Sequence, residues 1–337
     1  MIPLHFVERL KLRRPVVGVT YLLGKVYVVI EKSADVLISD DHCCKKVPIC
    51  GMIPVDIAVN YSEVSVNVLD DGNGCIWSIC QDHTVEKVVD LARRNLLSMS
   101  LTPDGRLTVI QNNSDILLYE EIREVRNEQE TKERKSAESE KAAEDKDGKT
   151  KDEQEPNKVV RFEKVVHAVQ VAPEMVVCDG TKIARITSEG EVLRETEGTG
   201  CTYITVDRNG NIIVCNQSDN QVFMLDSKTL ERKSTLLTLD RDGIESPRHV
   251  HCGLENSLLL VGWRNFVDIF SFTEDTARGY LSAAEQEARD KRTHKVTNLE
   301  TDVTQSEAYE QTCAVCSLHH QETSVATLAN GMTLLLF

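Results

Sequence analysis

Short apolar runs of five to seven residues, broken by clusters of Gly, Asn, Asp and Pro, recur in groups along the chain. The clearest group is 202–237, TYITVDRNGNIIVCNQSDNQVFMLDSKTLERKSTLL. It reads as an apolar strand YITVD, a turn at Arg208, Asn209 and Gly210, and a second strand NIIVCN. A polar turn over 217–220, a third strand QVFMLD and a looser, more solvated ERKSTLL complete it. Runs of this length, rich in β-branched residues and bounded by turn formers, predict strands. The Asn-Gly pair at 209–210 predicts the positive φ values of a tight hairpin.

The same order returns in 96–119, with Pro103-Asp104-Gly105 at the first turn, and in 55–79, with TVEKVVD as its fourth strand. Looser copies occupy 16–40, 167–196, 249–272 and 315–337, so that units begin near 16, 54, 96, 167, 203, 249 and 315. Two spacings are too long, and each holds a stretch of different composition. Residues 122–158 are rich in Glu, Lys, Asp and Ser, which predicts a disordered or helical insertion. Residues 273–311 are polar, and Tyr280, Leu281, Ala284 and Ala288 within them have the spacing of a short helix. Without these insertions the period is about 35–45 residues, the range of propeller blades.

A small sheet cannot bury both of its faces alone, whereas sheets stacked radially bury a continuous apolar layer and leave only short edges. The expected fold is therefore an all-β, mostly antiparallel β-propeller of six or seven blades, one domain over 1–337. Seven is preferred if 315–337 counts as a blade. HFVERLKL near the N-terminus is the expected closing strand, completing a last sheet that stops at MTLLLF.

The 202–237 unit resembles an NHL repeat, the blade of NHL-type propellers. Val206, Asp207, Gly210, Asn211, Ile213, Val214, Asn216, Asn220, Val222 and Phe223 carry the resemblance. It implies relatives among tripartite-motif proteins, ubiquitin ligases whose propeller binds RNA or protein. The RING and B-box zinc patterns of those ligases are not present in this sequence, so ligase chemistry would come from a partner.

Composition narrows the function. Aromatic residues make up 5% of the chain, so the core rests on Val, Ile and Leu. The net charge of −15 opposes a general nucleic-acid surface, which needs clustered Lys and Arg. The stretch 122–158 holds about 12 acids and about 10 bases, so most of that acidity lies on the folded parts. No run approaches the roughly 18 apolar residues of a membrane span. The first residues, MIPLHFVERLKLRR, lack the apolar stretch of a signal peptide. Eleven irregularly spaced cysteines read as free thiols, and a cytoplasmic or nuclear location is expected. Asn-x-Ser triplets at Asn60, Asn112 and Asn216 then read as turn chemistry.

Four candidate sites carry chemistry. Cys313 and Cys316 with His319 and His320 could meet His42, Cys43, Cys44 and Cys50 in a zinc site if ring closure joined the two units. Residues 313 and 316 point to opposite faces of a strand, which weighs against it. Glu63, Asp104, Asp207 and Asn256 could offer oxygen ligands to a divalent cation in the channel of a lactonase- or esterase-like propeller. Turn duty is the plainer account of all four. Arg9, Lys11, Arg13 and Arg14, with Phe6, form the best basic run for RNA, although a solvated strand face explains it as well. Trp77 and Trp263 could anchor an interface, but their apolar strands favour blade core.

The sequence reading is a non-enzymatic, monomeric scaffold that binds a protein or peptide partner at a propeller rim. The acidic balance favours a basic partner, with nucleic acid and membrane disfavoured. No residue is assigned a catalytic, cofactor-binding or metal-binding role, and no cofactor is expected. Substrate recognition for a ubiquitin ligase, RNA binding and metal-dependent hydrolysis are the alternatives.

Overall fold

The computed structural model describes residues 4–39, 44–119, 156–162, 164–253, 258–272, 296–298, 325–327 and 333–335. The chain divides into two units, Met1–Leu299 and Glu300–Phe337.

The first unit is a six-bladed propeller. β1 (His5–Lys11) precedes the blades. Blade 1 comprises β2 (Val16–Leu22), β3 (Lys25–Ile30), β4 (Asp35–Ser39) and β5 (Cys44–Pro48). Blade 2 comprises β6 (Pro54–Asn60), β7 (Ser65–Asp70), β8 (Cys75–Ile79) and β9 (Val85–Asp90). Blade 3 comprises β10 (Leu96–Leu101), β11 (Leu107–Gln111), β12 (Asp115–Tyr119) and β13 (Lys158–Arg161). Blade 4 comprises β14 (His167–Val171), β15 (Glu174–Cys178), β16 (Lys182–Ile186) and β17 (Val192–Glu197). Blade 5 comprises β18 (Cys201–Val206), β19 (Ile212–Asn216), β20 (Gln221–Leu225) and β21 (Arg232–Thr238). Blade 6 comprises β22 (Pro247–Gly253), β23 (Leu258–Trp263) and β24 (Phe266–Ser271), and pairs further with β1 and β25 (Val296–Asn298).

Closure depends on β1. It lies antiparallel to β24, Leu10 opposite Val267 and Lys11 opposite Phe266. The Arg9 guanidinium grips the buried Asp268 carboxylate through two hydrogen bonds, 2.6 and 2.7 Å, and lies 4.9 Å from the Trp263 ring centroid. An N-terminal closing strand was expected, but on a seventh blade built from 315–337. Closure falls on blade 6 instead. In the second unit β26 (Val325–Thr327) and β27 (Thr333–Leu335) pair only with each other among the described residues, as a two-stranded antiparallel sheet.

Each blade interface holds one apolar cluster. Val19, Tyr21 and Val28 of blade 1 meet Leu258, Leu260 and Val267 of blade 6, with Leu10 and Leu12 inserted beside them. The other five interfaces repeat this arrangement, mostly with Val, Ile, Leu and Met and with Cys and aromatic residues added around blade 5. Alternating strand side chains reach opposite faces of a blade, so the apolar residues of one strand serve two interfaces.

The hairpin after β18 shows why its sequence stands out. Gly210 N–H bonds the Asp207 carbonyl and Gly210 takes φ +78°, giving a three-residue loop in which only the glycine has positive φ, not Asn209 as well. The Asp207 carboxylate accepts from the Asn209 and Asn211 amides, both at 2.8 Å. Asn60 and Asn216 likewise serve turns, accepting from Ser62 and from the Asp219 amide.

Two sequence expectations change here. The outer strand of blade 3 begins at Lys158, so the insertion ends one residue earlier and splits β12 from β13. Cys50 is disulfide-bonded, so the cysteines are not all free thiols. Residues 122–155, and the helical spacing at Tyr280–Ala288, lie outside the described residues. No helix among the described residues is long and apolar enough to cross a membrane.

Candidate functional site

The innermost strands β2, β6, β10, β14, β18 and β22 surround the propeller axis. Gly18, Asp56, Ser98, His167, Tyr203 and His249 pair with Val29, Leu69, Ile110, Cys178, Cys215 and Gly262 respectively. They therefore hold one equivalent position in six blades. Their neighbours Val19, Ile57, Met99, Ala168, Ile204 and Val250 enter the apolar interfaces. Strand alternation leaves the first set to the axis, where it forms a polar layer.

Asp56 organises that layer. Its Oδ1 accepts from the Ile57 amide at 2.8 Å, the Tyr203 hydroxyl at 3.1 Å and His249 Nε2 at 3.0 Å. Its Oδ2 accepts from the Met99 amide at 2.8 Å and stands 3.8 Å from His167 Nε2. A carboxylate that is 1% exposed needs such partners, because an unpaired buried charge costs several kcal/mol. The His249 tautomer follows from the network. The Val19 amide donates to Nδ1 at 3.3 Å, so the ring proton sits on Nε2, facing the carboxylate. Tyr203 is sandwiched between His167 and His249, with ring centroids 3.8 Å from each. Burial, reinforced by the Asp56 charge, raises the Tyr203 hydroxyl well above its ordinary range, so it stays a proton donor.

His167 is the exception. It is buried, and neither ring nitrogen makes a well-formed hydrogen bond, although the Met99 backbone stands close enough to favour the protonated ring. Burial lowers its pKa to about 4 despite the opposing pull of Asp56, so the ring is neutral near pH 7.

Above this layer the channel widens into a funnel of about 450 Å³, within the roughly 300–1,000 Å³ of small-ligand sites. Ala58, Ser100, Val169, Thr205 and His251, two residues further along their strands, line it. His251 meets the Thr20 hydroxyl at 3.2 Å, and burial lowers its pKa to about 3. Ser100 donates to the Ala168 carbonyl at 2.8 Å, tying blade 3 to blade 4. Tyr61, Pro103, Gln170 and Arg208 stand at the mouth. Arg208 is exposed and has no hydrogen bond or ion pair among the described residues, because Asp207 beside it is committed to its own turn. Burial pushes the Cys252 thiol up to about 12; Asp207 adds to that shift and Arg208 opposes it, which places both charges near the blade 6 wall.

β12 and β24 run in the same direction as the inner strands, so they end, at Tyr119 and Ser271, on the mouth face. The charged stretch after β12 and the polar stretch after β24 are thus joined to the propeller on that face.

Of the four candidate sites' residues, Asp207 alone lines the funnel among those described. Glu63 accepts from Asn60 at 2.8 Å, and Asp104 pairs with Arg106 at 3.1 Å. Asn256 lies outside the described residues, as do His42, Cys43, Cys313, Cys316, His319 and His320. Cys50 is in its disulfide and Cys44 is exposed on β5. Among the described residues no group of three or more His, Cys, Asp or Glu side chains could hold a metal ion. Arg9 is spent on Asp268, Arg14 donates to the Lys32 carbonyl at 2.6 Å, and Phe6 packs edge-on to Phe270. The basic run is therefore the closing strand and the turn after it. Trp77 and Trp263 donate to Asp70 and Asp268 and pack in blade core. The layer of Asp56, His167, Tyr203 and His249 escaped the sequence reading. Its signal was present, as a polar side chain at an alternating position of five of the six first strands, with Gly18 in the sixth.

No family model matches the chain, and no curated protein is similar to it. Solved structures are. The WD40 β-propeller domain of Doa1 is 16% identical with a TM-score of 0.55, over 82% of this chain and 99% of that one. Virginiamycin B lyase from Staphylococcus aureus is 12% identical with a TM-score of 0.52, over 80% and 99%. A streptogramin B lyase is 14% identical with a TM-score of 0.50, over 80% and 98%. At these identities the likeness concerns the fold alone, and that fold is shared by a WD40 domain and by lyases.

Proposed function

We propose that this propeller is a non-enzymatic interaction module that binds a protein or peptide partner at the rim around the funnel mouth. The observation that carries this reading is the state of Asp56. Both oxygens of the axial carboxylate are taken up by amides, a phenol and an imidazole, so it closes the channel as a floor and has no lone pair poised over the funnel. Above it the walls offer hydroxyls, imidazole and apolar surface, the mixture that receives a side chain. The fold likeness to the WD40 domain of Doa1 supports the same reading, and the Asp207 turn supports an NHL-type blade. The net charge of −15 favours a partner with basic character.

The test is capture. The immobilised full chain, exposed to a cell extract and to a random peptide library, is expected to retain a protein or peptide. Thr205→Trp, which fills the funnel, should reduce retention without changing the far-ultraviolet circular dichroism. Metal-dependent ester or lactone turnover without capture would replace this reading with the hydrolase one. Retention of single-stranded RNA alone at physiological salt would replace it with the RNA one.

A further inference from the structure

The inner strands run from the underside of the propeller to the mouth, and the underside is built differently. At the foot of each strand, the residue immediately before the polar layer is at least partly exposed. In blade order these are Val17, Val55, Leu97, Val166, Thr202 and Arg248, with Leu97 and Arg248 the most exposed. The ladders skip Val17, Val55, Leu97, Thr202 and Arg248, so each stands in a β-bulge, which re-aims the extra side chain. Blades 1 to 4 thus present a crescent of aliphatic side chains, which Ile53, 55% exposed at the foot of β6, extends. Blade 6 faces it with a guanidinium that has no hydrogen bond or ion pair among the described residues. Around the crescent, Arg14, Arg94 and Lys164 lie in the connections leading into β2, β10 and β14. Arg14 and Arg94 donate to the Lys32 and Asp71 carbonyls at 2.6 and 2.8 Å, and none of the three has an ion pair among the described residues. Acids on this face are committed to its own structure. Asp71 accepts from the Leu96 amide at 2.8 Å, Asp179 from the Thr181 and Lys182 amides at 2.6 Å, and Glu245 is paired with Arg264. The local charge therefore opposes the net −15 of the chain.

We propose that the underside is a second docking surface, which takes an acidic segment carrying aliphatic residues from a protein partner. An aliphatic side chain covers the crescent of Val17, Val55, Leu97 and Val166. Neighbouring carboxylates pair with Arg248, whose fork they fit, and with the cations around the crescent. The foot of the inner strands offers no aromatic ring on which a base could stack, and the net charge of −15 repels a long polyanion. A short segment with few carboxylates is therefore favoured over RNA. The proposal rests on the reading of the propeller as an interaction module, and not on what the mouth binds.

The experiment selects a random peptide library on the immobilised full chain and measures the most frequent recovered sequence, fluorescein-labelled, by anisotropy. Sequences in which Asp or Glu stands beside Leu, Ile or Val should be enriched over the starting library. Arg248→Glu and Leu97→Asp should each weaken the recovered peptide about 10-fold or more, and its binding should fall as salt is raised. Both altered side chains are exposed, so the circular dichroism should match that of the wild type. If one variant does not fold, Arg14→Glu takes its place with the same direction of effect. A selection without this acidic and aliphatic class overturns the proposal. So does a peptide of that class that is lost in Thr205→Trp and kept in Arg248→Glu, or retention of single-stranded RNA in place of peptide. Basic peptides lost in Thr205→Trp, with no acidic class recovered, would leave the mouth reading standing and remove only the second surface.

Discussion

Asp56 sits where four hydrogen-bonding groups from four blades converge, and replacing it separates electrostatics from shape. Asp56→Ala would leave the Met99 and Ile57 amides, the Tyr203 hydroxyl and His249 Nε2 without their common acceptor. The expected loss is about 3–5 kcal/mol in urea unfolding, and Asp56→Asn should lose less because its oxygen still accepts from part of the set. Equal stabilities for wild type and Asp56→Ala would show that the layer holds nothing together. His167 makes a second prediction. Its pKa falls from 6.5 to about 4 on folding, so between those values the unfolded chain takes up a proton that the native state refuses. Stability is then complete above about pH 7 and declines on acidification through that window, by about 1.4 kcal/mol per pH unit for one such group. His251, lowered to about 3, adds with the same sign. Melting temperatures of wild type and His167→Gln between pH 7.5 and 4 check this; parallel profiles would rule His167 out as the source.

At the level of elements, the closing strand and the inner strands deserve separate tests. β1 latches the ring through Leu10, which is fully buried between blades 6 and 1, and through Arg9 on Asp268. Leu10→Ala should cost about 2–5 kcal/mol and, because the strand joins the two ends of the ring, should lower the melting temperature of the whole propeller in one transition. Separate transitions for blade 6 and the remainder would instead mean that closure is local. The inner strand of blade 1 is constrained differently. A Cβ on Gly18 would lie 2.7 Å from Ile57 Cγ2 and 3.2 Å from the Ile57 amide. Gly18→Ala should therefore destabilise by about 1–3 kcal/mol through overpacking, measurable by denaturant melts, even though alanine has the better intrinsic preference for ordered backbone.

For the molecule as a whole, closure on β24 means that residues 300–337 are not required to complete the ring. A chain ending at Leu299 should melt cooperatively and close to the full-length temperature; a broad, early transition would show that the second unit contributes to the fold. Six blades leave a narrow axis, so side chains from blades 4, 5 and 6 gather at one height around a single carboxylate from blade 2. The funnel above it widens as the polar layer gives way to Ala58, Ser100, Val169 and Thr205.

Periodicity determined the class of fold, the strand order within each unit and the starts of six units, because strand alternation and turn residues are local properties. It left six or seven blades open, since 315–337 has strand-like runs but blade membership depends on which edge a strand pairs with. The closing strand was legible as an unassigned apolar run at the N-terminus, and its true partner, β24, was not. The candidate site was the least legible part. Asp56, His167, Tyr203 and His249 lie up to 193 residues apart in sequence, and each by itself is an unremarkable polar residue in a strand. Only ring closure puts the same register position of six strands at one height on one axis. Burial there turns four ordinary side chains into one network around a single carboxylate.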